Sequence, residues 1–394
     1  MAGAFEGIRI IDLTHAMAGP MATMILADQG ADVIKIEPPG TGDMGRRMGN
    51  GPGGIPPMFA TSNRNKRSMV VNLRDPRGVE LARRLASGAD VFVHNFRPGT
   101  AERMGLGEAV LRAVRPDLIY VSISGFGESG PYSHKRAYDP IVQALSGLAD
   151  IQADRDTGRP RMVRLIVVDK LTGLTGAQAI AAALFARERT GVGQHVRLSM
   201  LDAMIAFLWP EGMVEYTYPD HPAFGIRPPG APDLVFETAD GYVTVAANTD
   251  AEWRGLASAL EHPEWIDDPR FRTPQLRFHN NKVRLEMTGA VLRTKNSAHW
   301  LERLEANDVP SAPVLRREAM MRDPQVVANE IIVEAVRPDG VRIRQTRPPA
   351  RFDRTPAAIR RQAPRMGEHT EEVLREAGLS PAEIAELRAA GVVA

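Results

Sequence analysis

Cysteine is absent from the 394 residues of the chain. Its absence excludes a disulfide framework, a thiolate metal site and a cysteine nucleophile together, so any catalysis must rest on oxygen and nitrogen groups. An excess of charge is missing as well. Lys and Arg number 49 against 48 Asp and Glu, and a net charge of +1 offers no general attraction for nucleic acid or for a membrane surface. No apolar run approaches the length that spans a bilayer, and the opening residues, MAGAFEGIRIIDL, lack the basic start and long apolar stretch of a secretion signal. We therefore expect a cytoplasmic protein with neither membrane nor nucleic-acid partners. The 30 prolines and 35 glycines are dispersed, so there is no low-complexity tail and no repeat of fixed period.

What is present is an ordinary soluble composition, 43% hydrophobic and 25% charged, long enough for one large core and a second, smaller one. Residues 7–14 (GIRIIDLT) read as a strand, 20–29 as a helix opened by Pro20, and 31–37 (ADVIKIE) as a second strand, which makes a βαβ unit. A dinucleotide-binding protein carries G-x-G-x-x-G after the first strand. This chain has HAMAGP with a single glycine, which disfavours NAD and FAD. Glu37 ends the second strand and is read as solvated, with no role. Further strands are expected at 69–73, 90–96, 118–124 and 195–200, alternating with helices, and the pattern implies a mostly parallel, doubly wound sheet in an α/β domain.

After Trp209 six prolines fall within little more than twenty residues, a linker signature. Residues 235–248 then read as a hairpin turning at Asp240 and Gly241, followed by helices whose Trp253, Trp265 and Trp300 are expected in a second core. A second hairpin is expected around Asp339 and Gly340, and two short helices close the chain. The division drawn is a large Rossmann-like domain at 1–209, a linker at 210–232, a smaller α+β domain at 233–320, and a return segment at 321–394 that packs on the large domain.

The stretch 165–191, LIVVDKLTGLTGAQAIAAALFARERTG, concentrates the chemical signals. Its first four residues read as a buried strand ending at Asp169, and an Ala-rich helix follows, with Arg187 and Arg189 at its negative end and Gly191 as its stop. Asp169 is either an N-cap of that helix or a reactive carboxylate at a strand's carboxyl end, where open α/β sheets place their ligands. Gly173 and Gly176 would let a ligand approach the backbone and present N–H groups to it.

Several segments resemble a known family, the class III CoA-transferases, or CaiB/BaiF family, which groups formyl-CoA transferase, carnitine CoA-transferase and α-methylacyl-CoA racemase. They are IIDLTHAMAGPMATMILADQGADVIKIEPPGTGD, NRNKRS, HNFRPGTAERMG, GFGESGPYSHKRAYDPIVQALSGL, VVDKLTG, RTGVGQHVRLSMLDA, FETADGYV and MGEHTEEVL, in matching order over nearly the whole chain. The resemblance implies a Rossmann-like domain and a smaller domain in an open ring, two such rings interlocking as a homodimer. It also implies coenzyme A or an acyl-CoA as substrate, a small carboxylic acid as acceptor and no metal.

By the same comparison Asp169 matches the catalytic aspartate, Arg103 an arginine that contacts CoA phosphate, and Arg136 the place of a CoA-binding lysine. For both arginines a solvated surface position is the competing reading. His15, from H-x-x-A-G-P, is expected to line the CoA site or to be a structural loop histidine. Arg46 and Lys66 are placed in basic loops at the same edge, where they either meet phosphates or face solvent. Tyr138 occupies the position of the racemase histidine, and a phenol is a poor base at neutral pH. With Thr249 and Asp250 where racemases supply a glutamate, the pattern favours transfer over racemisation. Met17 replaces the glutamine of the oxalate enzymes and their small-domain glycine loop is missing, which points away from oxalate and toward a larger acid. A binding protein without turnover is the remaining alternative, and the intact Asp169 argues against it.

Overall fold

The structure, a computed structural model, describes residues 2–220 and 232–394. Pro222, Pro228 and Pro229 of the expected linker lie outside the described residues. The chain forms two compact units. One comprises Met1–Gly230 together with Ile331–Ala394, and the other Ala231–Glu330.

The first unit is built on a parallel sheet of six strands: β1 (Arg9–Asp12), β2 (Asp32–Glu37), β3 (Lys66–Val70), β4 (Val91–His94), β5 (Ile119–Ser124) and β6 (His195–Ser199), in the order β3-β2-β1-β4-β5-β6. Side chains alternate across it. Ile10, Val33, Val91, Ile119 and Val121 face one side, where they meet Leu26, Ile180 and Leu184. Ile11, Ile34, Met69, Phe92 and Tyr120 face the other and pack on Leu81 and Leu85 of helix Pro76–Ser87 and on Val373, Leu374 and Ile384 near the C-terminus. Strands buried on both faces are near-continuous apolar runs, which is why VIKI, VFV and LIYVSI are legible as strands.

The third strand begins at Lys66, earlier than the sequence suggests, because its first residues are charged and would normally read as loop. Each charge is partnered inside the fold. Lys66 Nζ, fully buried, donates to Asp12 Oδ2 at 3.0 Å, to the Pro20 carbonyl and to Asn63 Oδ1. Arg67 pairs with Asp32, Glu372 and Glu376, which fastens the C-terminal helix Thr370–Glu376 to the sheet edge.

One expected strand does not form. Residues 165–168 end in a 24-residue helix, Val167–Thr190, and Asp169 is its third residue. Two side chains of β propensity cannot outweigh the strong helix formers downstream, and a carboxylate from elsewhere, Asp139, accepts hydrogen bonds from the Val168 and Asp169 N–H groups at 2.7 and 3.1 Å. The helix therefore starts before the aspartate. It stops at Gly191, as expected, with φ +69° and an N–H donated to the Arg187 carbonyl.

The second unit carries an antiparallel three-stranded sheet, β7 (Val235–Glu237), β8 (Tyr242–Val245) and β9 (Ser311–Pro313), with helices Asp250–Ala259, Asn281–Leu292 and Ser297–Ala306. The three tryptophans are buried in its core with Phe271 and Leu304, as the sequence suggests. In the first unit, the second hairpin is β10 (Ile332–Val336) against β11 (Arg342–Thr346). Arg64 ties it down by donating to the Thr346 carbonyl at 2.6 Å and, as a buried pair, to Asp28 at 2.7 Å.

Candidate active site

Strand order reverses between β1 and β4, and in an open parallel sheet the crevice at the carboxyl ends of such a pair is where ligands bind. The loops leaving these two strands part there. His15 and Ala16 follow β1, while Asn95 to Thr100 follow β4. Together with Ser124 and Gly125 after β5, the segment 133–138, Met200 and Asp169, they enclose a cleft of about 760 Å³, a size suited to a small-molecule ligand.

Asp169 reaches this cleft from the first turn of its helix instead of from a strand end. The residue preceding the helix is Ile166, whose side chain cannot cap, and Asp169 does not cap either. Asp139 does so from outside. It is 4% exposed, and its carboxylate takes both helix N–H groups and the Gln143 amide at 2.5 Å. Asp169 is thereby left free to face the cleft. Its own environment is unfavourable to charge. Burial, with the Asp139 carboxylate close by, pushes its carboxyl up to about 6, and one N–H, from Ala18, works in the opposite direction. Such a group is ionised at neutral pH but poorly solvated, the state in which a carboxylate is most reactive as a nucleophile.

His15, Arg103, Arg136 and Tyr138 also line the cleft, with Tyr138 54% exposed. Arg103 is anchored through Thr100 Oγ1 at 2.9 Å, and burial keeps the His15 imidazole below its ordinary pKa. Met17 is 9% exposed and is not among the residues lining the cleft.

Arg46 and Lys66 do not stand in basic loops facing a ligand. Arg46 makes a two-pronged pair with Glu37 at 2.6 and 2.7 Å, donates to the Pro364 carbonyl and lies over the Phe59 ring, while Lys66 is the buried partner of Asp12. Glu37 is correspondingly not solvated. It is 1% exposed and also accepts from Ser68 Oγ at 2.6 Å and the Asp43 N–H at 2.9 Å. A charge run beside a glycine-rich loop looks solvated in sequence, and only the long-range pairing shows that it is internal.

Gly173 and Gly176 also serve differently from the expectation. They lie inside the helix, where their N–H groups belong to the helical ladder. A Cβ on Gly173 would stand 3.0 Å from the Ala18 carbonyl oxygen and the Met21 Cβ, and one on Gly176 3.2 Å from the Ala22 Cβ. Their smallness lets this helix approach helix Ala18–Asp28 closely, which brings Asp169 to the Ala18 N–H.

The model of CoA-transferase family III matches residues 5–370. The chain belongs to that family.

Among its relatives is the mouse succinyl-CoA:glutarate CoA-transferase, 36% identical, the alignment covering 94% of this chain and 86% of that protein. The succinate–glutarate CoA-transferase of Agrobacterium fabrum is 37% identical over 94% and 95% of the two chains. In the orthorhombic crystal structure of Rv3272 from Mycobacterium tuberculosis the fold recurs with a TM-score of 0.83, at 30% identity over 94% of this chain and 98% of that one. The family's chemistry is CoA transfer between an acyl-CoA and a carboxylate, and this chain is a class III CoA-transferase.

Two further features of the class III cleft escape the sequence. Among its lining residues the cations Arg97, Arg103, Lys135 and Arg136 stand against one carboxylate, Asp169, so the cleft favours an anion as large as a nucleotide. Arg97 and Lys135 lack any distinguishing pattern in the sequence. Asp139 had one: an Asp-Pro pair that opens a helix, with Gln143 one turn on.

Proposed function

We propose that CoA transfer proceeds by covalent catalysis on Asp169. One carboxylate oxygen attacks the thioester carbonyl of a bound acyl-CoA, the carbon–sulfur bond breaks, and an acyl-aspartyl anhydride forms as CoA leaves as thiolate. The thiolate then attacks the aspartyl carbonyl, which releases the first carboxylate and leaves an aspartyl-CoA thioester. An acceptor carboxylate attacks that thioester and displaces the thiolate again, giving a second anhydride. Attack of the thiolate on the new acyl carbon yields the product acyl-CoA and restores Asp169. Every step exchanges one carboxylate or thiolate for another, so no strong base is required.

The observation that carries this reading is the placement of Asp169: a carboxylate aimed into a cation-lined cleft, released from capping by Asp139 and poorly solvated. Arg103 and Arg136 hold phosphate oxygens of CoA, and His15 and Tyr138 line the path of the acyl group. The activities named for the mouse and Agrobacterium relatives support a dicarboxylic acid of the glutarate class as the acceptor. Leu174, Phe185 and Phe207, all more than half exposed, support a second copy as the cover of this unit, in the interlocked dimer.

Mass spectrometry of protein incubated with succinyl-CoA tests the mechanism. The expected result is an adduct on the Asp169 peptide that hydroxylamine removes and that Asp169→Ala abolishes. No adduct with any donor, while CoA still binds, would leave a binding protein. Exchange of the α-proton in heavy water without CoA transfer would leave a racemase.

A further inference from the structure

The loop between β1 and the Ala18 helix contains a backbone position that an alanine does not choose unaided. Ala16 has φ +70°, in the left-handed region that a Cβ disfavours. Such a conformation persists only where the surroundings impose it.

Two side chains do so. Asn95, the first residue beyond β4, accepts from the His15 N–H at 3.0 Å and donates to the His15 carbonyl at 2.8 Å, bridging the two loops that part at the sheet's reversal. Asp43 accepts from the Ala16 N–H at 2.9 Å and the Gly45 N–H at 2.7 Å through one oxygen, while its other oxygen meets Lys35 Nζ at 2.7 Å. Lys35 is fully buried and also donates to the Thr14 carbonyl at 2.7 Å. Backbone groups of three consecutive residues, Thr14, His15 and Ala16, are thus fixed by side chains from three other segments. Two residues further on, the Ala18 N–H meets the Asp169 carboxylate.

We propose that Asn95 and Asp43 are positioning residues for the nucleophile: they hold His15 and Ala16 in the turn that sets the Ala18 N–H against Asp169, and so fix where that carboxylate points. The catalytic consequence rests on the transfer mechanism given above, whereas the geometric one does not. The groups facing Asp169 are Asp139 from the start of the separate helix Asp139–Leu145, the Ala18 N–H, and, lining the same cleft, His15, Arg136 and Tyr138. When the loop relaxes, the repulsion from Asp139 loses its local opponent, and Asp169 becomes harder to ionise.

The test uses the full chain. The rate at which a water-soluble carbodiimide modifies the Asp169 peptide, read by mass spectrometry across pH 4.5 to 8, reports the protonated fraction without any turnover. The midpoint is expected to rise by about half to one pH unit in Asn95→Ala, the effect of losing one charge-assisted hydrogen bond. kcat is expected to fall about 10- to 100-fold while KM for acyl-CoA changes by less than about threefold. Adding Ala16→Gly, which adopts the left-handed turn without a Cβ penalty, recovers part of both effects and keeps the experiment decisive where Asn95→Ala alone folds poorly. An unmoved midpoint in both variants, or no recovery by glycine, overturns the proposal. A moved midpoint without an acyl adduct on Asp169 refutes covalent transfer and leaves this inference standing. An adduct with an unmoved midpoint does the reverse.

Discussion

Replacing Asp169 with asparagine is expected to abolish transfer and to stabilise the protein increasingly as pH rises above the ordinary carboxyl value of 3.8. The carboxyl titrates near 6 in the folded chain against an ordinary value of 3.8, raised by burial and by the Asp139 carboxylate. Between those two values the folded chain keeps a proton that the unfolded chain has already released. Stability therefore falls as pH rises through this window, and above about 6 the whole penalty stands. At 1.36 kcal/mol per pH unit the difference amounts to about 2 to 3 kcal/mol. Asparagine carries no charge to desolvate and occupies nearly the same volume, so most of that penalty is removed. In a chain of this size the gain corresponds to a rise of a few degrees in Tm. Thermal unfolding of wild type and Asp169→Asn at equal protomer concentration, from pH 4.5 to 8.5, measures it. The two curves should lie about 1 kcal/mol apart at pH 4.5, because the unfolded carboxyl is already largely ionised there, and separate further to a plateau above pH 7. A separation that is constant with pH, or an asparagine variant no more stable at pH 8, would refute the claim that the nucleophile is held against its own solvation.

Asp139→Asn keeps an oxygen for the helix N–H groups but removes the charge that opposes Asp169. The acid limb of kcat/KM should move to lower pH, with a loss of about 1 kcal/mol in stability read from urea denaturation. Lys66→Met leaves Asp12 buried without its partner and should cost about 3 to 5 kcal/mol while KM for acyl-CoA stays unchanged in protein that remains folded. A phosphate-binding lysine would give the opposite pattern. Arg103→Ala, at an exposed cleft position, should raise KM for acyl-CoA about tenfold with no change in Tm, and isothermal titration with CoA checks it directly.

The inner strands were legible because they are buried on both faces and so are written as nearly unbroken apolar runs. Where a strand opens with charged residues, as β3 does at Lys66 and Arg67, the run is hidden, since their partners Asp12, Asp32 and Glu376 are far away in the chain. The same distance explains the misplaced start of the Asp169 helix. Val167 and Val168 carry a local preference for strand, and the carboxylate that overrules it is 30 residues back at Asp139. For the cleft, His15, Arg103, Arg136 and Tyr138 came from the family resemblance, because no local pattern marks them, whereas Asp169 stood out by its place between an apolar run and a small-residue helix. Asn95 and Asp43 went unnoticed because their work is done on another segment's backbone, and pairing of that kind leaves no trace in spacing or periodicity.

The choice of cations described above bears on chemical self-damage. Only six of the 49 basic residues are lysines. Thioesters and mixed anhydrides acylate free amines, whereas a guanidinium does not react with them. Lys35 and Lys66 are sealed inside the sheet and ion-paired, out of reach of any acyl donor. In the cleft the work of holding negative charge falls mainly to arginine, and the single amine lining it, Lys135, rests with its Nζ 3.8 Å from the centre of the Tyr132 ring. Stable amide formation with an activated acyl group therefore has one place in the cleft to be sought, Lys135.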